Sequence, residues 1–396
     1  MTGRLLVLNA GSSSLKFALF DCGTASPARH ATGSLSRIGA APWLRLQVGD
    51  APALTRAAGK GAIDLQAAAA MVFDELDALG LLDGIAAVGH RIVHGGESFV
   101  EPARLDAAAL YRLDRLVPLA PLHQPHNLDI VRFAAARLPQ AQQIGCFDTA
   151  FHAGRPRLDT LYALPRELSD EGMIAYGFHG LSYAHIAAQL RATDGERAGG
   201  RTIVAHLGSG ASLCAMDRGA SVATTMGFSA LDGLMMATRS GAIDPGILLH
   251  LIEARGMGSA EISELLYSRS GLLGVSGISG DMQVLLASDA PQAAEAIDLF
   301  VYRTNRALGS LAAVLGGLDT LVFTAGIGEN APVIRQRLGD GAAWLGVQIN
   351  ADANQRGAGV ISLPGSAVTV HVIPADEERA IVEGMTACLG HTSEGS

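Results

Sequence analysis

The chain runs twice through the same order of apolar and small polar positions. Leu6-Val7-Leu8 is apolar, Asn9-Ala10-Gly11-Ser12-Ser13-Ser14 is small and mostly polar, and Leu15 resumes an apolar run. Far downstream, Val204-Ala205-His206-Leu207 leads through Gly208-Ser209-Gly210 into Ala211-Ser212-Leu213. Each passage reads as strand, tight turn, strand, predicting β-hairpins over 4–20 and over Thr202–Met216. Small residues leave the N–H groups of such a turn uncovered, and uncovered N–H groups bind phosphate oxygens. Two such turns far apart suggest two related half-structures facing one phosphorylated ligand.

The pattern between and beyond the hairpins alternates strands with helices. Leu44–Val48 and Ile85–Val93 read as strands, the second buried. Ala67–Leu79, Leu105–Leu116 and Leu128–Leu138 carry apolar residues at helical spacing, the last two flanking a proline-rich loop, Pro118–Pro125. Gln143–Phe147 is a further strand. After a loop-rich stretch around Pro156 and Pro165 come helices at Leu181–Leu190, Pro245–Glu253 and Ala294–Leu315. Strands follow at Leu321–Thr324 and Val368–Ile373, then a helix from Asp376-Glu377-Glu378 to about Leu389, with a frayed tail from His391. This alternation predicts an α/β protein. A chain of 396 residues exceeds one compact core. The repeat sets the expected domains at 1–150 and 151–380, with the last helix, 381–396, returning to the first.

Composition narrows the partners. A formal net charge of -9 argues against a nucleic-acid surface but leaves room for a local cationic pocket. The cations are nearly all arginine, with Lys16 and Lys60 the only lysines. Four scattered cysteines (Cys22, Cys146, Cys214 and Cys388) read as buried thiols in a reducing compartment. No secretory signal is visible, and the apolar stretch Leu308–Ile327 is broken by Asp319 and glycines, so no membrane span is expected. The expected location is cytoplasmic.

Several residues could carry chemistry. Arg91, before a double glycine, and Arg239, in Thr238-Arg239-Ser240-Gly241, are guanidinium groups among small and apolar neighbours. Such groups call for an anion: a clamped carboxylate or phosphoryl group, or a structural carboxylate. His90 and His94 have i,i+4 spacing on a strand-like pattern with no third ligand near, which argues against zinc. His123 and His126 flank Pro125 in the predicted loop. His179, at a glycine turn, could donate to developing phosphoryl charge. Asp148 and Glu377 follow strands, where magnesium ligands stand in phosphoryl transfer, although Glu377 also suits a helix N-terminus, as Asp376 and Glu378 do. Ala325-Gly326-Ile327-Gly328-Glu329-Asn330 reads as a glycine loop after a strand, and it lacks both the Walker lysine and the GxGxxG pattern.

Six motifs together resemble the acetate kinase family, the acetate/propionate/butyrate acyl kinases of the sugar kinase, Hsp70 and actin superfamily. They are NAGSSSLKF (Asn9–Phe17), GHRIVHGG (Gly89–Gly96), FDTAFH (Phe147–His152), YGFHG (Tyr176–Gly180), TRSG..DP (Thr238–Pro245) and TAGIGEN (Thr324–Asn330). The resemblance covers essentially the whole chain. It implies duplicated ribonuclease H-like βββαβαβα domains of the actin/Hsp70 type, with the active site in an interdomain cleft, and a homodimer. It implies reversible transfer of the ATP γ-phosphoryl group to acetate, giving acetyl phosphate and ADP in one in-line step. Mg²⁺ is the implied cofactor, with Mn²⁺ its substitute. Arg91 and Arg239 would hold the carboxylate and the transferring group, His179 the transition-state charge, and His123 would assist. Asp148, Glu377 and Asn9 would position the metal. Ser12, Ser14 and Lys16, together with His206, Leu207, Gly208, Ser209 and Gly210, belong to the two phosphate hairpins. Asp281, Met282, Gln283, Gly326, Ile327, Gly328, Glu329 and Asn330 would surround the nucleotide. Val93, Leu122, Phe178 and Ala230 would line the acyl pocket.

Three positions depart from the family pattern. Ser209 stands where HLGNG has asparagine, Gln283 where Asp-Met-Arg has arginine, and Ala230 where a pocket proline is common. Ala230 motivates a propionate- or butyrate-preferring kinase. Gln283 and Ser209 motivate a changed phosphoryl donor, pyrophosphate included. The alternative from another class is a nucleotide-binding regulator without turnover.

Overall fold

A computed structural model describes residues 3–11, 14–22, 27–59, 61–194, 200–357 and 359–390. Ser12 of the first turn and the tail 391–396 lie outside the described residues. The chain divides into two units, residues 1–151 with 376–396, and residues 152–375. Residues 376–380 therefore belong with the first unit, carrying Glu377 with them.

The first unit is built on an eight-stranded sheet. Its strands are β1 (Gly3–Ala10), β2 (Ser14–Cys22), β3 (Ala28–Ser36), β4 (Trp43–Val48), β5 (Leu54–Ala57), β6 (Ile85–Ile92), β7 (Ala103–Arg104) and β8 (Gln142–Phe147), in the order β5-β4-β3-β2-β1-β6-β8-β7. β1 and β2 form the predicted hairpin, with Asn9 opposite Lys16. β6 then joins β1 in parallel and β8 joins β6 in parallel. Leu5 to Leu8 are buried, as an apolar run at the centre of a sheet covered on both faces must be. β3 was not visible in the sequence because only Ala31 and Leu35 of it are buried. Gly33 interrupts it for a packing reason: a side chain there would collide with the Phe17 ring. Helix Glu377–Gly390 buries Ala380, Ile381, Val382, Met385 and Leu389. Met385 lies over Gly89 of β6, where any side chain would block it.

The second unit repeats the plan. Strands β9 (Arg201–Leu207), β10 (Ala211–Asp217), β11 (Ala220–Thr224), β12 (Thr320–Thr324), β13 (Gly359–Val360) and β14 (Thr369–Val372) run in the order β11-β10-β9-β12-β14-β13. In both units an antiparallel triplet is followed by two parallel strands on the same side: β3-β2-β1-β6-β8 in one and β11-β10-β9-β12-β14 in the other. Helix Pro291–Leu315 buries a stripe from Ala293 through Phe300 and Leu308 to Ala312, at helical spacing, and stops at Gly316 with φ +69°.

Four expectations need correction. The Pro118–Pro125 segment is not one loop, since helix Gln124–Arg137 begins inside it, with Pro125 in the first turn. His123 is the residue capping that helix, and His126 is helical. Ala325–Asn330 is a short helix, not a glycine loop, entered through Ala325 at φ +65°. The buried thiols are Cys146 and Cys214, each pushed up to about 12 by burial, while Cys22 and Cys388 are half-buried; all four are free. No helix among the described residues is long and apolar enough to cross a membrane.

Candidate functional site

In the first unit, the carboxyl ends of three parallel strands bring charged residues together. Asn9 and Arg91 are the next-to-last residues of β1 and β6 and Asp148 follows β8, while the start of helix Glu377–Gly390 adds Glu377 and Glu378. The ends of parallel strands are where α/β sheets place ligands. Arg91 grips Asp148 with two nitrogens: Nη2 donates to Oδ2 at 2.6 Å and Nε to Oδ1 at 3.1 Å. Glu377 stands 3.9 Å from Arg91 Nε. Asn9 Nδ2 donates to Glu377 Oε2 and to Glu378 Oε1, each at 2.8 Å. Of the two anions foreseen for Arg91, the structure supplies the carboxylate. Burial opposes the charge on Arg91, but Asp148, Glu377 and Glu378 outweigh it and hold the guanidinium above its usual range. Burial raises the Asp148 carboxyl, with Arg91 working against the rise. Among the described residues, no three His, Cys, Asp or Glu side chains gather as a metal cage.

Helix Gln124–Arg137 holds the chain on either side of this cluster. Asn127 Oδ1 accepts from Val93 N–H at 3.0 Å and its Nδ2 donates to the Ala10 carbonyl at 3.3 Å. Gln124 Oε1 accepts from His94 N–H at 3.2 Å, and its Nε2 donates back to the His94 carbonyl at 3.0 Å. Asn127 thus continues, by side chain, the pairing that β1 and β6 end at Leu8 and His90, while Gln124 closes a two-way bond on the His94 backbone. Val93 is buried, Leu122 is 44% exposed and Lys16 points outward from β2. Burial pushes both His90 and His94 down to about 4, so both are neutral at pH 7; His90 Nε2 pairs with Gln143 Oε1 at 2.8 Å.

In the second unit, the β9–β10 hairpin, His179 and Arg239 converge. Gly208 N–H donates to the Gly210 carbonyl at 3.0 Å, closing the turn. A Cβ on Gly210 would sit 3.1 Å from His179 Nε2 and 3.8 Å from Arg239 Nη1, so the glycine leaves room for both. His179 has φ +59°, a left-handed conformation costing a non-glycine residue on the order of 1 kcal/mol. Together with Ala325, it places backbone strain at two of the motifs. The His179 ring stacks on His206 with centroids 4.2 Å apart. Arg239 Nη1 donates to the Ala230 carbonyl at 2.9 Å. Phe178 is buried, and its carbonyl accepts from His152 Nε2 at 2.9 Å. Burial, helped by Arg155, pushes His152 down to about 3 and keeps it neutral.

A pocket of about 820 Å³ lies in this unit, a size suited to a nucleotide. Its lining brings together Gly208, Ser209, Asp281, Met282, Gln283, Gly326, Ile327 and Asn330, with Thr238 beside Arg239. His206, Leu207, Gly210, Gly328 and Glu329 are outside the lining. Glu329 instead accepts from Ala375 N–H at 2.9 Å, and Asp281 caps the short helix Met282–Leu286 through Gln283 N–H. Sequence reasoning passed over Asn127, Gln124, Ser212 and Tyr183, and set Glu378 aside as a helix-end charge. A polar residue on the apolar side of a helix was the signal available for Asn127.

Residues 4–383 match the model of the acetokinase family. The chain is 50% identical to an acetate kinase of Rhodopseudomonas palustris strain TIE-1, covering 96% of this chain and 97% of that one. Among solved structures it superposes on a propionate kinase from Francisella tularensis (TM-score 0.88, 34% identity, 97% and 99% of the two chains). It also superposes on the Porphyromonas gingivalis acetate kinase (TM-score 0.85, 35% identity, 98% and 100%). The motifs, the doubled sheet plan and these likenesses agree, and the chain belongs to the acetokinase family.

Proposed function

We propose that the protein transfers the γ-phosphoryl group of ATP to acetate, reversibly, giving acetyl phosphate and ADP. The observation that carries this reading is the second unit's nucleotide-sized pocket, with Thr238 in its wall and Arg239 and His179 meeting beside Gly210. In this reading the acetate oxygen attacks the γ-phosphorus as its bond to the ADP oxygen breaks, in line and without a phosphoenzyme. Arg239 and His179 donate to the equatorial oxygens, where charge spreads in the transition state. Arg91 receives the acyl carboxylate, and Val93, Leu122, Phe178 and Ala230 serve the methyl group. Asp148, Glu377 and Asn9 offer oxygen ligands only, which suits a hard cation that keeps several waters and needs no full protein cage. Mg²⁺ bound there would neutralise phosphate charge. A cytoplasmic setting fits the four free cysteines, and a secreted form carrying disulfides would contradict it.

The test is acyl phosphate formation trapped by hydroxylamine, with ATP or pyrophosphate against acetate, propionate and butyrate. ATP-dependent turnover of acetate supports the reading. Turnover only with a longer acid supports the second reading, motivated by Ala230, for which one methylene is worth roughly 1–3 kcal/mol. No turnover in a folded protein that binds nucleotide would leave a regulator.

The protein partner in this reading is a second copy of the chain. Helix Pro245–Glu253 buries none of its residues, although Ile247, Leu249 and Ile252 are apolar and 50%, 57% and 49% exposed. An uncovered apolar helix is a contact surface. Light scattering should give twice 40.8 kDa for the wild type and a single chain mass for Leu249→Asp. A wild-type monomer would rule the pairing out.

A further inference from the structure

We infer that Tyr183 and Ser212 are positioning residues that fix the proton of His179 on Nε2, making that nitrogen a hydrogen-bond donor. The inference deepens the phosphoryl-transfer reading and rests on it for its catalytic meaning. Its structural content stands apart: three side chains form one chain of contacts. His179 Nδ1 lies 2.8 Å from Ser212 Oγ, and Ser212 Oγ lies 2.5 Å from the Tyr183 hydroxyl. Tyr183 and Ser212 are fully buried and His179 nearly so.

The direction of the protons follows from the chemistry of the groups. Ser212 has one proton to give, and its oxygen meets a phenol and an imidazole nitrogen. A phenol is the stronger donor of the two hydroxyls and the poorer acceptor, because its lone pair is drawn into the ring. Burial holds the Tyr183 phenol well above its usual range, so it stays protonated. Tyr183 therefore donates to Ser212, and Ser212 donates to His179 Nδ1. A neutral imidazole that accepts at Nδ1 carries its proton at Nε2. Nε2 is the nitrogen turned toward Gly210, the place it shares with the Arg239 guanidinium. The opposite tautomer would aim a lone pair at a phosphoryl oxygen and repel it.

The backbone supports the arrangement. Tyr183 lies one helical turn beyond His179, and its N–H donates to the His179 carbonyl at 3.1 Å. The neighbouring Ser182 serves the second ring of the stack, with Oγ 2.8 Å from His206 Nδ1. The stack sets the plane of the His179 ring, and Ser212 sets its tautomer. Two adjacent residues at the start of helix Gly180–Asp194, Ser182 and Tyr183, thus orient two histidines from different strands and turns.

The test combines nitrogen NMR of the ¹⁵N-histidine-labelled full chain with kinetics. Signals of His179 are identified by their loss in His179→Gln. The wild type should show the Nε2–H tautomer, and Ser212→Ala should lose that preference. Tyr183→Phe and Ser212→Ala should each lower kcat roughly 10-fold, the usual size for an outer partner of an active group, with KM for acetate and ATP unchanged. The double variant should be no slower than either single one, because both act through one contact chain. Ser212→Thr keeps the hydroxyl and should restore both tautomer and rate. A wild-type proton on Nδ1, or additive losses with raised KM, would overturn the inference. A wild type that makes no acyl phosphate would instead overturn the functional reading, with the tautomer still decided by NMR.

Discussion

Arg239→Ala is expected to lower acyl phosphate formation by about 10³-fold or more while the protein remains folded. The size follows from what an arginine supplies to a transferring phosphoryl group: trans or cis arginines in phosphoryl transfer are worth about 10³–10⁵ in rate. The prediction of an intact fold follows from where the side chain is. Arg239 is half-buried in a loop, and its Nη1 bonds the backbone carbonyl of Ala230, an oxygen that water can satisfy once the guanidinium is gone. Arg239→Lys keeps a charge but loses the planar fork, so it should recover only a small part of the rate. The measurement pairs hydroxamate formation with the thermal unfolding midpoint. Near-normal turnover in Arg239→Ala would remove the residue from the mechanism. A large fall in midpoint would make its role structural.

How much of this was legible in the sequence depends on how local each signal is. Both hairpins could be read because a central strand is a continuous apolar run and its turn is a cluster of small residues. The edge strands β5 and β11 could not, nor could β3 inside the first sheet, because each is short of buried apolar residues and carries no such run. Ala325–Asn330 read as a loop because its glycines argue against helix and Pro332 announces a helix start just after it. The structure resolves that conflict with a strained alanine that turns the chain into helix one residue after β12. Arg91, Asp148 and Arg239 stood out at strand ends and glycine turns, where charged residues need a reason. The link from Asn9 to Glu377 and Glu378 could not be seen, since it joins residues 368 and 369 positions apart. Only the packing of the last helix on β1 creates it. Tyr183 and Ser212 were invisible for a similar reason: a tyrosine in a helix and a serine in a strand are ordinary until they meet at one imidazole.

Arg91→Ala should separate stability from chemistry in a way that Arg239→Ala does not. Arg91 and Asp148 are a buried pair, with the Asp148 side chain 1% exposed. Removing one partner of such a pair leaves an uncompensated charge and costs about 3–5 kcal/mol. Glu377 adds to the strain, since it already raises the Asp148 carboxyl and would do so unopposed. In the variant, the folded-state pKa of Asp148 therefore lies further above its unfolded value. The sign is then fixed: the folded state holds the extra proton, so the loss of stability is smallest at low pH and grows as pH rises through the folded-state pKa. Asp148→Asn supplies the neutral form permanently. The double variant Arg91→Ala/Asp148→Asn should regain most of the stability lost at pH 7, read from urea unfolding midpoints, and still make no acyl phosphate. Rescue of both would mean that the pair serves the fold alone. Rescue of stability without activity would show that the pair serves turnover apart from the fold, as expected if Arg91 receives the acyl carboxylate and Asp148 helps to hold the metal.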